Sequence, residues 1–157
     1  MTQWLSEDEQ RIWRDFITAV QLLEDTLNRD LQNAHGISMG DYEILVRLSE
    51  SPDRRIRMSI LAKQVLVSRS RLSHQIDRMV DAGYVSRETC DDDKRGQFAV
   101  MTDKGWKLLV DAAHTHVAGV REHFVDQISD TDYASLGKMV RKIAERLDAG
   151  NEVSKIK

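Results

Sequence analysis

The stretch from Ser68 to Gly105, SRSRLSHQIDRMVDAGYVSRETCDDDKRGQFAVMTDKG, decides the fold of this chain. Its first sixteen residues predict an amphipathic helix rich in serine and arginine. The remainder predicts two short strands joined by a charged loop. A helix with a polar, cationic outer face can lie in the major groove of duplex DNA, and the basic tip of a following hairpin, the wing, can reach an adjacent minor groove. The stretch therefore indicates DNA binding, an arrangement for which few enzymes have a use.

The helix that begins after Ser68 has two distinct faces. Its apolar side consists of Leu72, Ile76, Met79 and Val80, spaced for one helical stripe. The candidate DNA contacts on the helix are Ser68, Arg69, Ser70, Arg71, Ser73, His74 and Arg78. Arg69 and Arg71 lie in the first turn, where the helix dipole disfavours a cation by about 0.3–1 kcal/mol. A neighbouring phosphate backbone would offset this unfavourable interaction with the dipole. The alternative is that both are surface arginines whose small cost the protein tolerates.

Shorter elements precede this helix and complete a module. A helix after Ser38 is expected to end before Pro52, and residues 55–57 predict a short edge strand. Residues 58–65 predict a further helix, and the two-residue link to Ser68 makes the pair a helix-turn-helix. Residues 38–102 are therefore expected to form a winged helix-turn-helix DNA-binding module.

Long helices are predicted at both ends of the chain. A capping box from Ser6 to Glu9 opens a helix of nearly thirty residues that Gly36 can end. Another helix opens at Asp103, and a capping box at residues 129–132 opens the last. Their apolar stripes exceed what a small winged module could cover, so residues 1–36 and 103–148 are interpreted as dimerisation helices of a two-fold homodimer. An intramolecular helical hairpin is the alternative, but it would leave the first helix unmatched.

The whole chain of 157 residues is expected to be one domain, mainly α with a small β-wing, and residues 149–157 are expected to be a frayed tail. Its net charge is −3, which alone argues against nucleic acid. The segment 54–97, however, holds ten Lys and Arg residues against six acids, a local net of +4. A basic block between acidic arms is typical of a DNA-facing module.

Composition also bears on the compartment. Cys90 is the single cysteine, so an intrachain disulfide is impossible and a reducing compartment is expected. The N-terminus has no signal-peptide pattern, and no apolar run approaches the roughly 20 residues of a membrane span. We therefore expect a cytoplasmic protein without a membrane partner.

These motifs resemble the multiple-antibiotic-resistance regulator (MarR) family of bacterial winged helix-turn-helix repressors, over about residues 7–147. The most specific piece is DKRGQFAVMTDKG at residues 93–105, which is similar to the family's Asp-x-Arg wing, strand and Leu-Thr-x-x-Gly helix start. Met101 stands where the family usually has leucine. The passages MVDAGYV (79–85) and LAKQVLVSRSRLS (61–73) also fit.

The resemblance implies an obligate dimer, a palindromic operator and, often, release by a small phenolic or lipophilic effector. It also implies wing contacts by Asp93, Lys94 and Arg95. Arg95 corresponds to the arginine that enters the minor groove, and Asp93 corresponds to the acid that braces it. An arginine suits a narrow, electronegative A·T minor groove, and an adjacent carboxylate limits its rotamers before binding.

An effector pocket is expected between the dimerisation helices and the winged module. Its candidate residues are the aromatic or amphipathic Trp13, Phe16, His35, Tyr42 and His116. The alternative is that they are core or interface residues, and that the regulator has no effector. The operator sequence, the regulated genes and the sign of regulation do not follow from the sequence.

Other sites are less favoured. Acids at 91–93 would raise the thiol pKa of Cys90 and blunt a redox role. His114 and His116 point some 200° apart on a helix, so joint metal binding is not expected. No enzyme motif is found, and neither a metal nor a cofactor is expected. A helical, dimeric protein-binding adaptor would explain the long helices but not the wing.

Overall fold

The computed structural model describes residues 1–89 and 96–148, which form six α-helices around a small antiparallel sheet. The helices are α1 Glu7–His35, α2 Met39–Ser49, α3 Met58–Gln64, α4 Arg69–Asp81, α5 Asp103–His123 and α6 Asp130–Asp148. The strands are β1 Arg55–Arg57, β2 Val85–Thr89 and β3 Gln97–Met101. The predicted fold class, mainly α with a small β-wing, is confirmed.

Local capping signals set the ends of α1. The hydroxyl of Ser6 accepts from the backbone N–H of Glu9, and the Glu9 carboxylate accepts in return from the N–H of Ser6 at 2.7 Å. These hydrogen bonds from Ser6 hold the pKa of Glu9 below its ordinary value. Gly36 ends the helix in the left-handed region, with φ of 70°, where a side chain would be strained.

The core lies where α2, α3, α4 and the sheet meet the C-terminal part of α1 and the first half of α5. The largest fully buried side chains are Leu31, Ile44, Leu45, Leu48, Leu61, Leu72, Ile76 and Val85. Each such burial contributes about 1.5–3 kcal/mol, so this cluster fixes the winged module onto the two long helices.

The three strands pair in the order β1-β3-β2, which leaves β1 at one edge as predicted. Ala99 in the central strand lies opposite both Ile56 and Arg87. Tyr84 and Thr102 lie just outside β2 and β3 and form the joint with α5. The N–H of Thr102 donates to the carbonyl of Tyr84 at 3.0 Å, and its side chain caps α5.

Two apolar helix faces have no partner within the described chain. In α1 only Leu27 and Leu31 are buried, and α6 has no buried residue at all. Exposed large apolar side chains on these helices are Ile12, Trp13, Phe16, Val20, Leu22, Tyr133, Met139, Val140, Ile143 and Leu147. Exposed apolar area of this extent typically marks an interaction surface.

Candidate nucleic-acid interface

The outer face of α4 is polar and cationic. Ser68 caps the helix, and its hydroxyl accepts from the N–H of Arg71 at 3.2 Å. Leu72, Ile76 and Met79 bury the opposite face in the core, which fixes the rotation of the helix. The exposed candidates are Ser68, Arg69, Ser70, Arg71, His74 and Arg78, and Ser73 is half-buried.

The turn between α3 and α4 sets how α4 projects. The N–H of Val67 donates to the carbonyl of Ala62 at 3.1 Å, and Leu66 has a left-handed φ of 53°. Leu66 is not glycine, so this conformation carries strain that the surrounding contacts must offset. The helix-turn-helix predicted from the short link is present with this geometry.

Arg87 joins the sheet to α4 and was not predicted as a site residue. Its guanidinium donates to Asp77, to Ser73 and to Gln97. The sequence did carry a signal, because Arg87 lies two residues after the buried Val85 and so on the inward face of β2. A cation on an inward strand face needs acceptors nearby.

A cleft of about 430 Å³ opens between α3, α4 and the root of the wing. Its lining residues include Arg57, Ser59, Arg69, Ser73, Arg87 and Gln97. Arg87 is engaged by Asp77, so the guanidinium groups of Arg57 and Arg69 are the ones at this opening that favour an anion such as a phosphate. Arg57 and Ser59 are further additions to the predicted set.

A second concavity, of about 770 Å³, lies on the other flank of α4. It is lined from α4 by Arg71, His74 and Arg78, and from α1 and α2 by Asn28 and Glu43. The flank is braced by Gln75, whose amide donates to Asp41 at 3.0 Å. The predicted cations of α4 therefore divide between two openings, with Arg69 facing the first.

The arginines of α4 differ from two arginines near the sheet in their ion pairs. Nearby arginines are paired, since Arg54 lies 3.4 Å from Asp103 and Arg55 lies 3.1 Å from Glu88. Within residues 1–89 and 96–148, Arg69, Arg71 and Arg78 form no ion pair. Their charge is thus available to an anionic partner.

The predicted wing contacts Asp93, Lys94 and Arg95 lie outside the described residues, as does Cys90. The structure describes the wing only up to Thr89 and from Gly96 onward. The roles of Asp93, Lys94 and Arg95 remain predictions from the family resemblance.

Three of the five effector candidates lie at α5: His116 on the helix itself, Tyr42 on α2 and His35 at the end of α1. The rings of Tyr42 and His116 lie 4.7 Å apart, and His35 Nε2 is 2.8 Å from Thr115 Oγ1. Burial lowers the pKa of His116 and raises that of Tyr42. Nδ1 of His116 is buried without a hydrogen-bond partner among the described residues.

The other two effector candidates lie elsewhere on the chain. Trp13 and Phe16 pack on each other with ring centroids 6.2 Å apart, on the exposed N-terminal half of α1. Within the described part of one chain, no ring contact joins them to His35, Tyr42 or His116. Among the described residues of one chain, the candidates at α5 and the pair on the N-terminal half of α1 are therefore two separate groups.

Two properties of the described residues bear on other classes of site. None of the helices in the described ranges combines the length and apolar character needed to cross a bilayer. The described residues also contain no group of three or more His, Cys, Asp or Glu side chains placed to hold a metal ion.

A helix-turn-helix whose second helix presents cations, backed by a three-stranded sheet, defines a winged helix-turn-helix protein. The MarR family model matches residues 37–96. AbsC, a MarR family transcriptional regulator from Streptomyces coelicolor, is 47% identical and superposes over 94% of this chain and 99% of that chain, with a TM-score of 0.87. The chain belongs to the MarR family of transcriptional regulators, which are DNA-binding regulators and not enzymes.

Two more relatives extend the comparison. Sco3205, a MarR family regulator from the same organism solved in complex with DNA, is 46% identical, with a TM-score of 0.89 over 94% of this chain and 92% of that chain. The HTH-type transcriptional repressor YetL of Bacillus subtilis (strain 168) is 27% identical over 112 residues, which is 69% of this chain and 67% of the relative.

Proposed function

We propose that this protein is a dimeric repressor that binds a palindromic operator and is released from it by a small aromatic or phenolic effector. The observation that carries the proposal is the exposed face of α4, where Arg69, Arg71 and Arg78 form no ion pair with any described residue and lie beside serine hydroxyls. Unpaired guanidinium groups on a projecting helix suit phosphates and guanine edges.

Dimerisation is supported by the unpartnered apolar faces of α1 and α6. A single α4 and wing cover one half-site, and two copies related by a two-fold axis would cover a palindrome with half-sites about one helical turn apart. The DNA complex of Sco3205 and the description of YetL as a repressor are consistent with this function.

An effector is supported by the Tyr42–His116 pair at the junction of the winged module and α5. The two amphipathic rings offer apolar area, and Nδ1 of His116, which has no hydrogen-bond partner among the described residues, offers one orienting polar group. Trp13 and Phe16 would join this site only from the partner copy. A ligand could release DNA only through a preference for a dimer with wrongly spaced α4 helices.

DNA binding is tested by titrating the protein against random duplex and against genomic fragments that it retains. We expect log affinity to fall steeply with log salt, with roughly 6–10 phosphates neutralised per dimer. Arg71→Gln should weaken binding by about 1–3 kcal/mol, and Lys107→Gln, an exposed cation on α5, serves as the matched control. If the protein shows no salt-dependent binding to duplex DNA, the proposal is refuted and the alternative, a helical protein-binding adaptor, is favoured.

The effector is tested separately by titrating simple phenols and aromatic acids against the protein–DNA complex. Tryptophan fluorescence reports binding, and Tyr42→Phe and His116→Gln should alter the response. Should no compound both bind and shift DNA affinity, the protein is the same regulator without an effector.

A further inference from the structure

One side chain links the two DNA-facing elements. Nη2 of Arg87 donates to Oδ1 of Asp77 at 2.8 Å, to Oγ of Ser73 at 3.0 Å and to the Ser73 carbonyl at 3.1 Å. Nη1 donates to Oε1 of Gln97 at 2.5 Å. A single guanidinium on β2 thus spans α4 and β3, at the root of the wing.

The arginine is the shielded side of this link. The Arg87 side chain is 23% exposed, whereas Asp77, its acid partner, is 58% exposed. Charge-assisted hydrogen bonds from a planar fork are directional, so they restrict the orientation of α4 relative to the strands. The buried residues of α4 fix how closely it packs on the core and its rotation about its own axis. Arg87 fixes the position of its outer side relative to the sheet.

The same contact assigns a hydrogen-bonding role to Ser73. A serine hydroxyl can both donate and accept, and its acceptor side is taken here by Arg87. Within residues 1–89 and 96–148, no protein acceptor takes the hydroxyl hydrogen of Ser73. This half-buried hydroxyl lies at the cleft that Arg57 and Arg69 also line.

We propose that Arg87 is a positioning residue of the DNA interface, which aligns α4 with the wing and presents Ser73 to DNA as a hydrogen-bond donor. The inference rests on the proposed function. The complementary group is an acceptor, either a phosphate oxygen or a base edge such as N7 of a purine or O4 of thymine. Arg87 itself does not contact DNA, because its terminal nitrogens are engaged and its Nε is buried.

The experiment begins with duplexes that the wild-type protein selects from a randomised pool. Affinity and its salt dependence are then measured for Arg87→Gln, Arg87→Lys, Ser73→Ala and the double variant Arg87→Gln/Ser73→Ala. The matched control is Arg55→Gln. Arg55 lies on the same sheet, pairs with Glu88 and stacks on the ring of Phe98.

We expect Arg87→Gln to lose about tenfold affinity for the selected duplex, with the slope of log affinity against log salt unchanged. Arg87→Lys keeps the charge but not the fork and should lose nearly as much. Ser73→Ala should weaken binding alone but add nothing in the Arg87→Gln background, since the hydroxyl is by then misdirected. Loss of preference at one base position in Ser73→Ala would identify a base acceptor, and a uniform loss would identify a phosphate.

Three results would overturn the proposal. If Arg87→Gln reduces the slope of log affinity against log salt by about one, Arg87 contacts a phosphate. If the affinity losses of Arg87→Gln and Ser73→Ala add in the double variant, Arg87 does not act through Ser73. An equal loss in Arg55→Gln would make the effect one of general sheet charge. If Arg87→Gln does not fold by circular dichroism, Arg87→Lys carries the test. Failure of the wild type to bind any duplex would refute the proposed function, whereas wild-type binding with normal Arg87 variants would refute only this inference.

Discussion

His116 is a half-buried titratable group whose environment predicts a pH effect on stability. Burial against Tyr42 lowers its pKa from the ordinary value of 6.5, so the folded protein binds this proton less readily than the unfolded chain. Stability is therefore expected to fall as the pH drops below about 6.5, with the full loss reached once the pH lies below the folded-state pKa.

Replacement by an uncharged side chain should remove this dependence. In His116→Gln the melting temperature should decline less between about pH 7.5 and pH 5 than in the wild type. His114→Gln, an exposed histidine on the same helix, is the control and should keep the wild-type decline. Identical declines in all three proteins would contradict the prediction.

Arg95 carries the wing prediction that comes from the family resemblance. Arg95→Ala should weaken operator binding by about 1–3 kcal/mol and leave folding and dimerisation intact, because a minor-groove contact is absent from the free protein. Asp93→Ala should lose less. Unchanged affinity of Arg95→Ala in a gel-shift titration would refute the minor-groove role.

The joint between the winged module and α5 depends on a close approach at Gly105. A Cβ at this position would lie 2.2 Å from the carbonyl oxygen of Tyr84, which is backbone and cannot swing away. That carbonyl also accepts the N–H of Thr102, so the clash would disturb the start of α5.

Gly105→Ala should therefore destabilise the protein by about 3 kcal/mol, at the upper end of overpacking costs. Gly36→Ala is the comparison, because a Cβ there meets nothing within 4 Å and only the positive φ opposes it, at about 1–2 kcal/mol. Chemical denaturation of both variants checks the order. A smaller loss of unfolding free energy in Gly105→Ala than in Gly36→Ala would show that the joint can adjust to the added Cβ, and would contradict the prediction.

At the scale of the whole molecule, we expect α6 to contribute to assembly of the dimer and not to the core of one chain. Helix α6 has no buried residue, and Tyr133 near its start packs edge-on against Phe124, the residue that follows α5. Removal of residues 129–157 should therefore spare the winged module but expose more of α5.

We expect this truncation to give monomers or aggregates without operator binding, although every α4 residue is retained. A finer variant is Ile143→Arg, which places a charge on the exposed apolar face, with Lys142→Arg as its control. Analytical ultracentrifugation at low micromolar concentration measures the assembly. A truncated protein that stays dimeric refutes the proposed interface.

The elements of this fold were predictable wherever their signals are local. The capping box at Ser6, the left-handed end at Gly36 and the two faces of α4 all depend on residues within one or two turns. Caps and the 3.6-residue period act along the chain, so they can be read without knowing the partner element. The cationic face of α4 was predicted for the same reason.

Contacts between distant residues were decided only by the tertiary structure. The sequence by itself determined that α1 is one long amphipathic helix, but the fold determined that Leu27 and Leu31 are buried while Ile12 and Phe16 stay exposed. Likewise, a serine on the α4 wheel was predicted to face DNA, and the structure engages it with Arg87, fourteen residues away. Periodicity specifies which side of an element is apolar or polar, whereas the partner that meets that side depends on how elements far apart in sequence pack together.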